Sequence, residues 1–397
     1  MNNYEIIVAG GGPIGCFTAE QLASKGINVA VMEEHNTIGE PLHCAGLVTQ
    51  RVFDISKCSQ TGIVQNKIYG AHVHGIDGTI LTIGEKKIHA LVINRQRFDQ
   101  RLAQAAKTAG ADILTGHKIV SAKKQDHAVI LSIQHNKRIK NFRCHLLIGA
   151  DGSNSQIRNI FGFPRPVEIL QGIGAEISDT TLDPCFVHIF VGQGIAPGFF
   201  AWVIPTNQQG TTARIGLCIG KQSAYPLQYY FTNLLQQPLL QGTTVMKRFG
   251  GTIPLGFLKK TIDDNVMLVG DSAAQAKPTS GGGLYPGLLC ATSCAQVAEE
   301  AVQKQMFDEK LLTRYHTKWT KEIGRELSLG MRFRKIFTGF TDAQFNKYLE
   351  KLNNKKTVDV INTYGDIDYP SRLVLPLLKV SPSLISLTPA VLKRTKK

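Results

Sequence analysis

A parallel α/β fold is what the first third of this 397-residue chain predicts, joined to a β-rich antiparallel domain and ending in a helical, basic region. Three observations carry that reading. A short apolar run, Tyr4 to Ala9, leads into Gly10, Gly12 and Gly15 at G-x-G-x-x-G spacing, then a helix-length segment and a second apolar run closed by Glu33. Junctions of the same kind, strand end to glycine and acid, return at Asp151-Gly152 and at Gly270-Asp271. Residues 165 to 250 turn instead to short β-rich runs dense in aromatics.

Composition narrows the class. With 43% hydrophobic and 19% charged residues the chain has the make-up of a folded globular protein with a large core. Its net charge is +15, and residues 301–397 hold 19 Lys and Arg against 9 Asp and Glu. Such an excess suits nucleic acid, anionic lipid or an acidic protein, or is only a soluble surface; of these, no nucleic-acid partner is expected. The eight cysteines are scattered, without C-x-x-C or a Cys/His cluster at metal spacing, so a reducing, cytoplasmic setting and no metal site are expected. Cys290 and Cys294, one helical turn apart, read as small buried residues. The chain enters its first strand at once, so no signal peptide is expected, and no apolar run reaches spanning length.

Taken in order, Tyr4–Ala9 is a buried strand, a helix follows from about Gly15 to Lys25, Gly26 stops it, and Asn28–Met32 is the second strand. In a Rossmann-like unit the first glycine makes the tight turn, the second admits a pyrophosphate, the third lets helix meet strand, and Glu33 takes ribose hydroxyls. Ile38 to Val48 has no regular period and reads as a loop carrying Cys44 and Gly46; a thiol there either packs or supplies a proton, and His43 is incidental. Residues 67–93 alternate as antiparallel strands, with His72 and His74 on one face as packing or surface residues. A helix is expected over Arg97–Ala109, with Asp99 at its dipole end and Arg95 free to reach a phosphate. A strand and meander fill 111–148, turning at His135 to Lys137, and LLIGADGSNSQIR makes the Asp151-Gly152 junction with Arg158 one turn in.

Phe190, Phe199, Phe200 and Trp202, followed by the strand Thr211–Cys218, serve either a core or a cavity for a long apolar ligand. The densest signal is Val269 to Gly287. Here a strand end, Asp271, Pro278 and three glycines, Gly281 to Gly283, precede a run with helical spacing, Leu284, Leu288, Ala291, Ala295 and Ala298. Bare N–H groups at such a helix start suit an electron-rich ring or a phosphate, and the segment is read as holding the ring end of a flavin. Leu311–Gly330 is a helix carrying Trp319. Arg372–Lys397 interleaves leucines with prolines and ends in a basic group, a tail that either packs on the domain or lies on a membrane surface.

The three junctions together resemble flavoproteins of the p-hydroxybenzoate hydroxylase fold. Within that group the chain is similar to the geranylgeranyl reductase family, the archaeal digeranylgeranylglycerophospholipid reductases above all. The resemblance rests on Cys44-Ala45-Gly46, Arg95 to Leu102, Phe200 to Pro205 with Gly216, AQAKPTSGGGLYPG at 274–287, WTKEIGREL at 319–327 and YGDIDYPSRL at 364–373. It departs from the family's Tyr-x-Trp-x-Phe-Pro, which reads here Phe200, Trp202, Ile204, Pro205. The resemblance implies a discontinuous FAD-binding domain (1–60, 90–165, 251–310), a β-rich substrate domain (61–89, 166–250) and a basic helical region (311–397). It implies FAD contacts at Ile14, Glu33, Cys44, Ala45, Arg95, Ile119, Asp271, Gly283 and Leu284, to which the local chemistry adds Gly10, Gly12, Gly15 and Gly282.

The expected activity is reduction of C=C bonds in prenyl chains of membrane-lipid precursors, by hydride from reduced FAD. Cys44 is the candidate proton source, and Phe200, Trp202, Pro205 and Tyr285 are expected in the substrate pocket. No second G-x-G-x-x-G follows a strand, so the reductant is expected to be a ferredoxin or a transiently bound NAD(P)H, and the basic C-terminal region to touch the cytoplasmic membrane face peripherally. The rival readings are an FAD monooxygenase of an aromatic substrate and a flavin electron-transfer protein.

Overall fold

The apolar runs that end in glycine and acid become adjacent parallel strands. In the structure, a computed structural model, residues 2–41, 44–221, 223–256 and 258–387 are described, the last three without their side chains. His43, Pro389 and the terminal basic group lie outside the described residues, as does the side chain of Ile385. An eight-stranded sheet runs in the order Ile262–Asp263, Val266–Leu268, Arg138–Gly149, Asn2–Ala9, Val29–Met32, Asp112–Leu114, with the meander Lys118–Gln125 and Ala128–His135 attached to Arg138–Gly149. From Val266–Leu268 to Asp112–Leu114 every pairing is parallel, which explains why these strands are apolar on both faces. Ala9 lies opposite Gly149, and Gly149 opposite Leu268. The three junctions therefore stand side by side at one sheet edge, where ligands of open α/β sheets bind.

Helices Pro13–Ala23, Arg95–Thr108 and Leu284–Lys304 pack together, burying Phe17, Leu22, Phe98 and Leu288 in one core with Trp319. The first helix starts before the expected Gly15 because Pro13 suits the first helical position. The second starts at Arg95, because the Asn94 side chain caps it by accepting from Arg97 N–H. Cys290 and Cys294 are fully buried and carry free thiols.

A seven-stranded sheet runs in the order Thr244–Leu255, Glu168–Ser178, Thr212–Ile219, Phe200–Pro205, Phe186–Val191, Gly70–His74, Ile80–Gly84. Its pairings are antiparallel except that of Gly70–His74 with Phe186–Val191. Of the expected stretch 61–89, only the two strands within 70–84 join this sheet; Val64–Ile68 pairs with Ala90–Ile93 in a separate three-stranded sheet. The strand Thr244–Leu255 also crosses the expected boundary at 250, its partner Glu168–Ser178 being long enough to hold it to Leu255. The expected helix at 311–330 is two, Glu309–Trp319 and Arg325–Phe337, joined through a π turn at Thr320–Gly324. Among the described residues no helix is long and apolar enough to cross a membrane.

Candidate active site

The first glycine turn is closed by contacts that admit no side chain. A Cβ on Gly15 would stand 2.0 Å from the Gly10 carbonyl oxygen, so the helix start presses on the strand end. Glu33 braces the turn, its Oε2 accepting from Gly11 N–H at 2.7 Å and its Oε1 from His35 N–H at 2.9 Å. A carboxylate has acceptor capacity beyond those two bonds, so ribose hydroxyls remain within its chemistry. Ile14 reaches across to the third junction: Cβ atoms on Gly270 and Gly287 would lie 3.2 and 2.7 Å from its side chain.

At that junction the strand Val266–Leu268 ends in a short 3-10 turn held from inside. Gly270 N–H donates to Gln275 Oε1, Gln275 Nε2 to the Tyr315 hydroxyl, and that hydroxyl to Leu268 O. Asp271 projects from the turn, and its carboxylate receives no hydrogen bond among the described residues. Burial pushes its pKa up to about 6, against the pull of Arg95 and Arg158. Its Oδ1 lies 2.8 Å from where a Cβ on Gly283 would be. Gly283 is the N-cap of Leu284–Lys304 and makes no side-chain cap bond, so that helix presents bare N–H groups.

Arg95 is not free, contrary to expectation. Its Nε and Nη2 bind Asp99 at 3.2 and 3.1 Å, an i,i+4 pair that the earlier helix start brings into register. Burial opposes its charge, but Asp99 and then the Cys44 thiol, in hydrogen-bond reach, hold its pKa above the ordinary value. Asp99 thus serves the ion pair and not the helix dipole. Cys44 is half-buried in a loop whose Gly46 N–H donates to its Sγ at 3.3 Å. Asp151 caps the short helix after its strand, accepting from Ser155 Oγ at 2.6 Å and Ile157 N–H at 3.0 Å. Arg158 ties that helix to the third junction by donating to Ser272 O at 3.1 Å.

The seven-stranded sheet meets this edge through Arg214 and Trp202. Arg214 is buried; its Nη1 donates to Ala45 O and Ile93 O at 3.2 and 2.8 Å and its Nη2 to Gln65, which pins the Cys44–Ala45–Gly46 loop. Trp202 packs against two buried clusters, one with Ile204 and Val187 and one with Cys218 and Ala276, and its indole N–H is buried without a partner among the described residues. Phe200 stands edge-on to Trp202 at 6.1 Å and stacks on Phe199 at 4.3 Å. An apolar cavity of about 270 Å³ lies beyond, lined by Val73, Phe199, Phe200, Pro278, Thr279, Phe337, Tyr348 and Leu352. It runs from the C-terminal helices to the loop that precedes the three glycines. A larger, polar-rimmed hollow of about 570 Å³ beside Arg158 and Arg165 is formed by neither Asp271 nor the glycine helix start.

Three expected residues stand elsewhere. Ile119 is buried in the core cluster of Met32 and Leu131, on the inward face of the meander's outer strand, where it pairs with Ile133. Pro205 is buried at the far end of its strand, where its carbonyl accepts from Asn66. Tyr285 turns away from the cavity to the C-terminal segment, its hydroxyl 2.7 Å from that of Tyr369 and its ring beside Arg51. Sequence reasoning passed over Arg214, Lys277, Asp368 and His188. A charge inside the apolar run TTARIGLC was the available signal for Arg214; nothing local marked the others. His188 joins His72 and His74, with its Nδ1 3.0 Å from His74 Nε2. Among the described residues no group of His, Cys, Asp or Glu could hold a metal.

Comparison with known proteins bears on this geometry. A family described as FAD binding domain matches residues 3–233, which contain the first glycine turn, Arg95, the Asp151 junction and most of the aromatic sheet. The chain belongs to the FAD-binding-domain family. It is 30% identical to the uncharacterized protein MJ1520 of Methanocaldococcus jannaschii, covering 95% of each chain. It is 28% identical to digeranylgeranylglycerophospholipid reductase 2 of Methanothermobacter thermautotrophicus, covering 93% of this chain and 98% of that one. Its fold matches the crystal structure of a geranylgeranyl bacteriochlorophyll reductase-like protein from Thermoplasma acidophilum with a TM-score of 0.88, at 21% identity and covering 99% and 100% of the two chains. The residues present fit FAD. A Cβ on Gly12 would meet nothing within 4 Å, leaving the turn open for a pyrophosphate, and Asp271, the Trp202 N–H and the buried Ser280 hydroxyl are polar groups still without partners among the described residues.

Proposed function

We propose that this FAD-binding-domain protein saturates C=C bonds in the geranylgeranyl chains of a membrane-lipid precursor. The observation that carries the reading is the apolar cavity that ends at Pro278 and Thr279, beside the glycine helix start. The similarity to digeranylgeranylglycerophospholipid reductases along nearly the whole chain supports the same substrate class. Reduced FAD, when bound, supplies hydride from N5 to one alkene carbon. Gly10, Gly12 and Gly15 would admit its pyrophosphate, Glu33 would hold its ribose, Asp271 its pyrophosphate or ribityl hydroxyls, and the Gly282–Gly283–Leu284 helix start its ring.

An unactivated alkene offers little polarity to hold, so rate enhancement comes from clamping and from a placed proton. Phe199, Phe200 and Tyr348 exclude water along the cavity, and the rings of Phe200 and Trp202 set the height of the chain. Cys44, or water beside its thiol, delivers the proton to the second alkene carbon, with Arg95 and Arg214 holding the loop in place. The deciding experiment is anaerobic incubation of the photoreduced protein with geranylgeranyl lipids of several head groups. Mass spectrometry should record steps of about two daltons, since each saturation adds two hydrogens. No mass gain with any head group, or oxygen-coupled hydroxylation instead, overturns the reading.

Electrons arrive from a transient donor, a ferredoxin or NAD(P)H, and the +15 net charge favours an acidic carrier. Reduction that is insensitive to salt with every acidic carrier counts against the electrostatic part. Peripheral membrane contact is proposed through Val374–Val380, a mostly apolar segment with no buried residue that carries Lys379 and is preceded by Arg372. Co-flotation with anionic but not neutral vesicles is its expected signature.

A further inference from the structure

The C-terminal segment returns to the cofactor edge and plants a carboxylate there. Asp368 is 1% exposed and accepts from Thr49 Oγ1 at 2.5 Å, Arg51 Nη1 at 3.0 Å and Lys277 Nζ at 2.6 Å. Lys277 also donates to Ile367 O at 3.1 Å. Arg51 is balanced separately by both oxygens of Asp366 at 2.7 and 2.8 Å, and Asp366 also meets Arg372 at 3.1 Å. Lys277, 5% exposed, lies at the mouth of the three-glycine turn. Its own N–H donates to Gly282 O at 3.1 Å and its carbonyl accepts from Gly281 N–H at 2.8 Å. A Cβ on Gly282 would stand 3.0 and 3.3 Å from its Cε and Nζ.

We infer that Lys277, fixed by Asp368, is a positioned charge at the ring end of bound FAD and sets how readily that FAD is reduced. An ammonium has three donors, and here two are used among the described residues, while the nitrogen fills the space that a side chain on Gly282 would need. Buried ion pairs seldom exceed an apolar pair in stability, so folding alone does not account for this one. Reduction adds negative charge to the cofactor ring, and a cation shielded from water favours it. The buried carboxylate works in the opposite sense, holding the ammonium while tempering its field. This rests on the placement of the ring at the Gly282–Gly283–Leu284 helix start proposed above, and on nothing about the substrate.

The test is anaerobic redox titration of full-length, FAD-loaded protein followed by flavin absorbance, without lipid. K277M is expected to lower the midpoint potential, D368N to raise it, and K277R to stay near wild type. Potentials unchanged in K277M and D368N, or shifted in the same direction, overturn the inference. If K277M does not retain FAD, D368N decides alone, and a potential at or below wild type overturns it. Loss of FAD from both marks the pair as a folding contact and overturns it too. The titration contains no alkene, so a failed lipid assay leaves it intact, and a failed titration leaves the lipid assay intact.

Discussion

The Trp202 indole covers Gly216, its cross-strand partner, so closely that a Cβ on Gly216 would stand 2.5 Å from the indole Cζ2. Backbone blocks retreat on the other side, since the Ile173 carbonyl oxygen is 2.8 Å from the same point. Gly216→Ala is therefore expected to push the indole off the sheet, costing about 1–3 kcal/mol as overpacking does. Thermal unfolding should record that loss, and prenyl-lipid turnover should fall while flavin absorbance per chain stays near wild type.

Gly15→Ala attacks the other end of the cofactor. Its methyl cannot stand 2.0 Å from the Gly10 carbonyl, so helix and strand must part at the turn that admits the pyrophosphate. FAD affinity is expected to weaken by about tenfold or more, roughly 1.4 kcal/mol at least, read by fluorescence titration of apoprotein.

Arg214→Met removes the donors that hold the part-buried Ala45 carbonyl and the buried Ile93 carbonyl. The loss is expected to be on the order of 3 kcal/mol in denaturant unfolding. Alkylation of Cys44, mapped by mass spectrometry, should quicken in this variant as the loop loosens; an unchanged rate would show that Arg214 does not hold it.

Asp271 gives a pH signature to the apoprotein. Burial pushes its folded pKa up to about 6, above the ordinary carboxylate value of 3.8, so the native state keeps the proton longer than the unfolded chain does. Above about pH 6 both states are ionised and the native state bears the full cost; as pH falls through 6 toward 4 that cost is relieved, roughly 2–3 kcal/mol in all. Asp271→Asn apoprotein is expected to lose this component. Unfolding curves of the two proteins at pH 4 and pH 7 give the comparison.

His188 and His74 carry the opposite dependence. Burial, and then the neighbouring histidines, lower both pKa values to about 4 from 6.5, with Asp183 opposing weakly at His188. The unfolded chain takes up these protons first, so stability is expected to fall as pH drops from 6.5 to 4 and then level, by on the order of 2 kcal/mol. His188→Leu should flatten that fall; a variant as acid-sensitive as wild type would rule the cluster out as its source.

How much of this was legible differs from residue to residue. Gly10 to Gly15, Glu33 and the Gly270-Asp271 junction were readable because a phosphate-binding turn is local: a few consecutive residues set its backbone path, and their order in the chain records it. Phe200 was readable as either core or cavity, and Tyr285 was placed on the substrate because its neighbours in sequence point that way. The fold turns Tyr285 toward Tyr369 instead.

By itself, then, the sequence determined the parallel sheet, its three aligned junctions and the FAD-type turn. Tertiary structure alone decided that Arg95 is engaged with Asp99, that Arg214 crosses between sheets to hold the Cys44 loop, and that Asp368 comes back 91 residues to meet Lys277. The physical reason is range. Turn geometry and hydrophobic period act between near neighbours, whereas a buried charge chooses its partner only after the core has closed and removed water as the alternative.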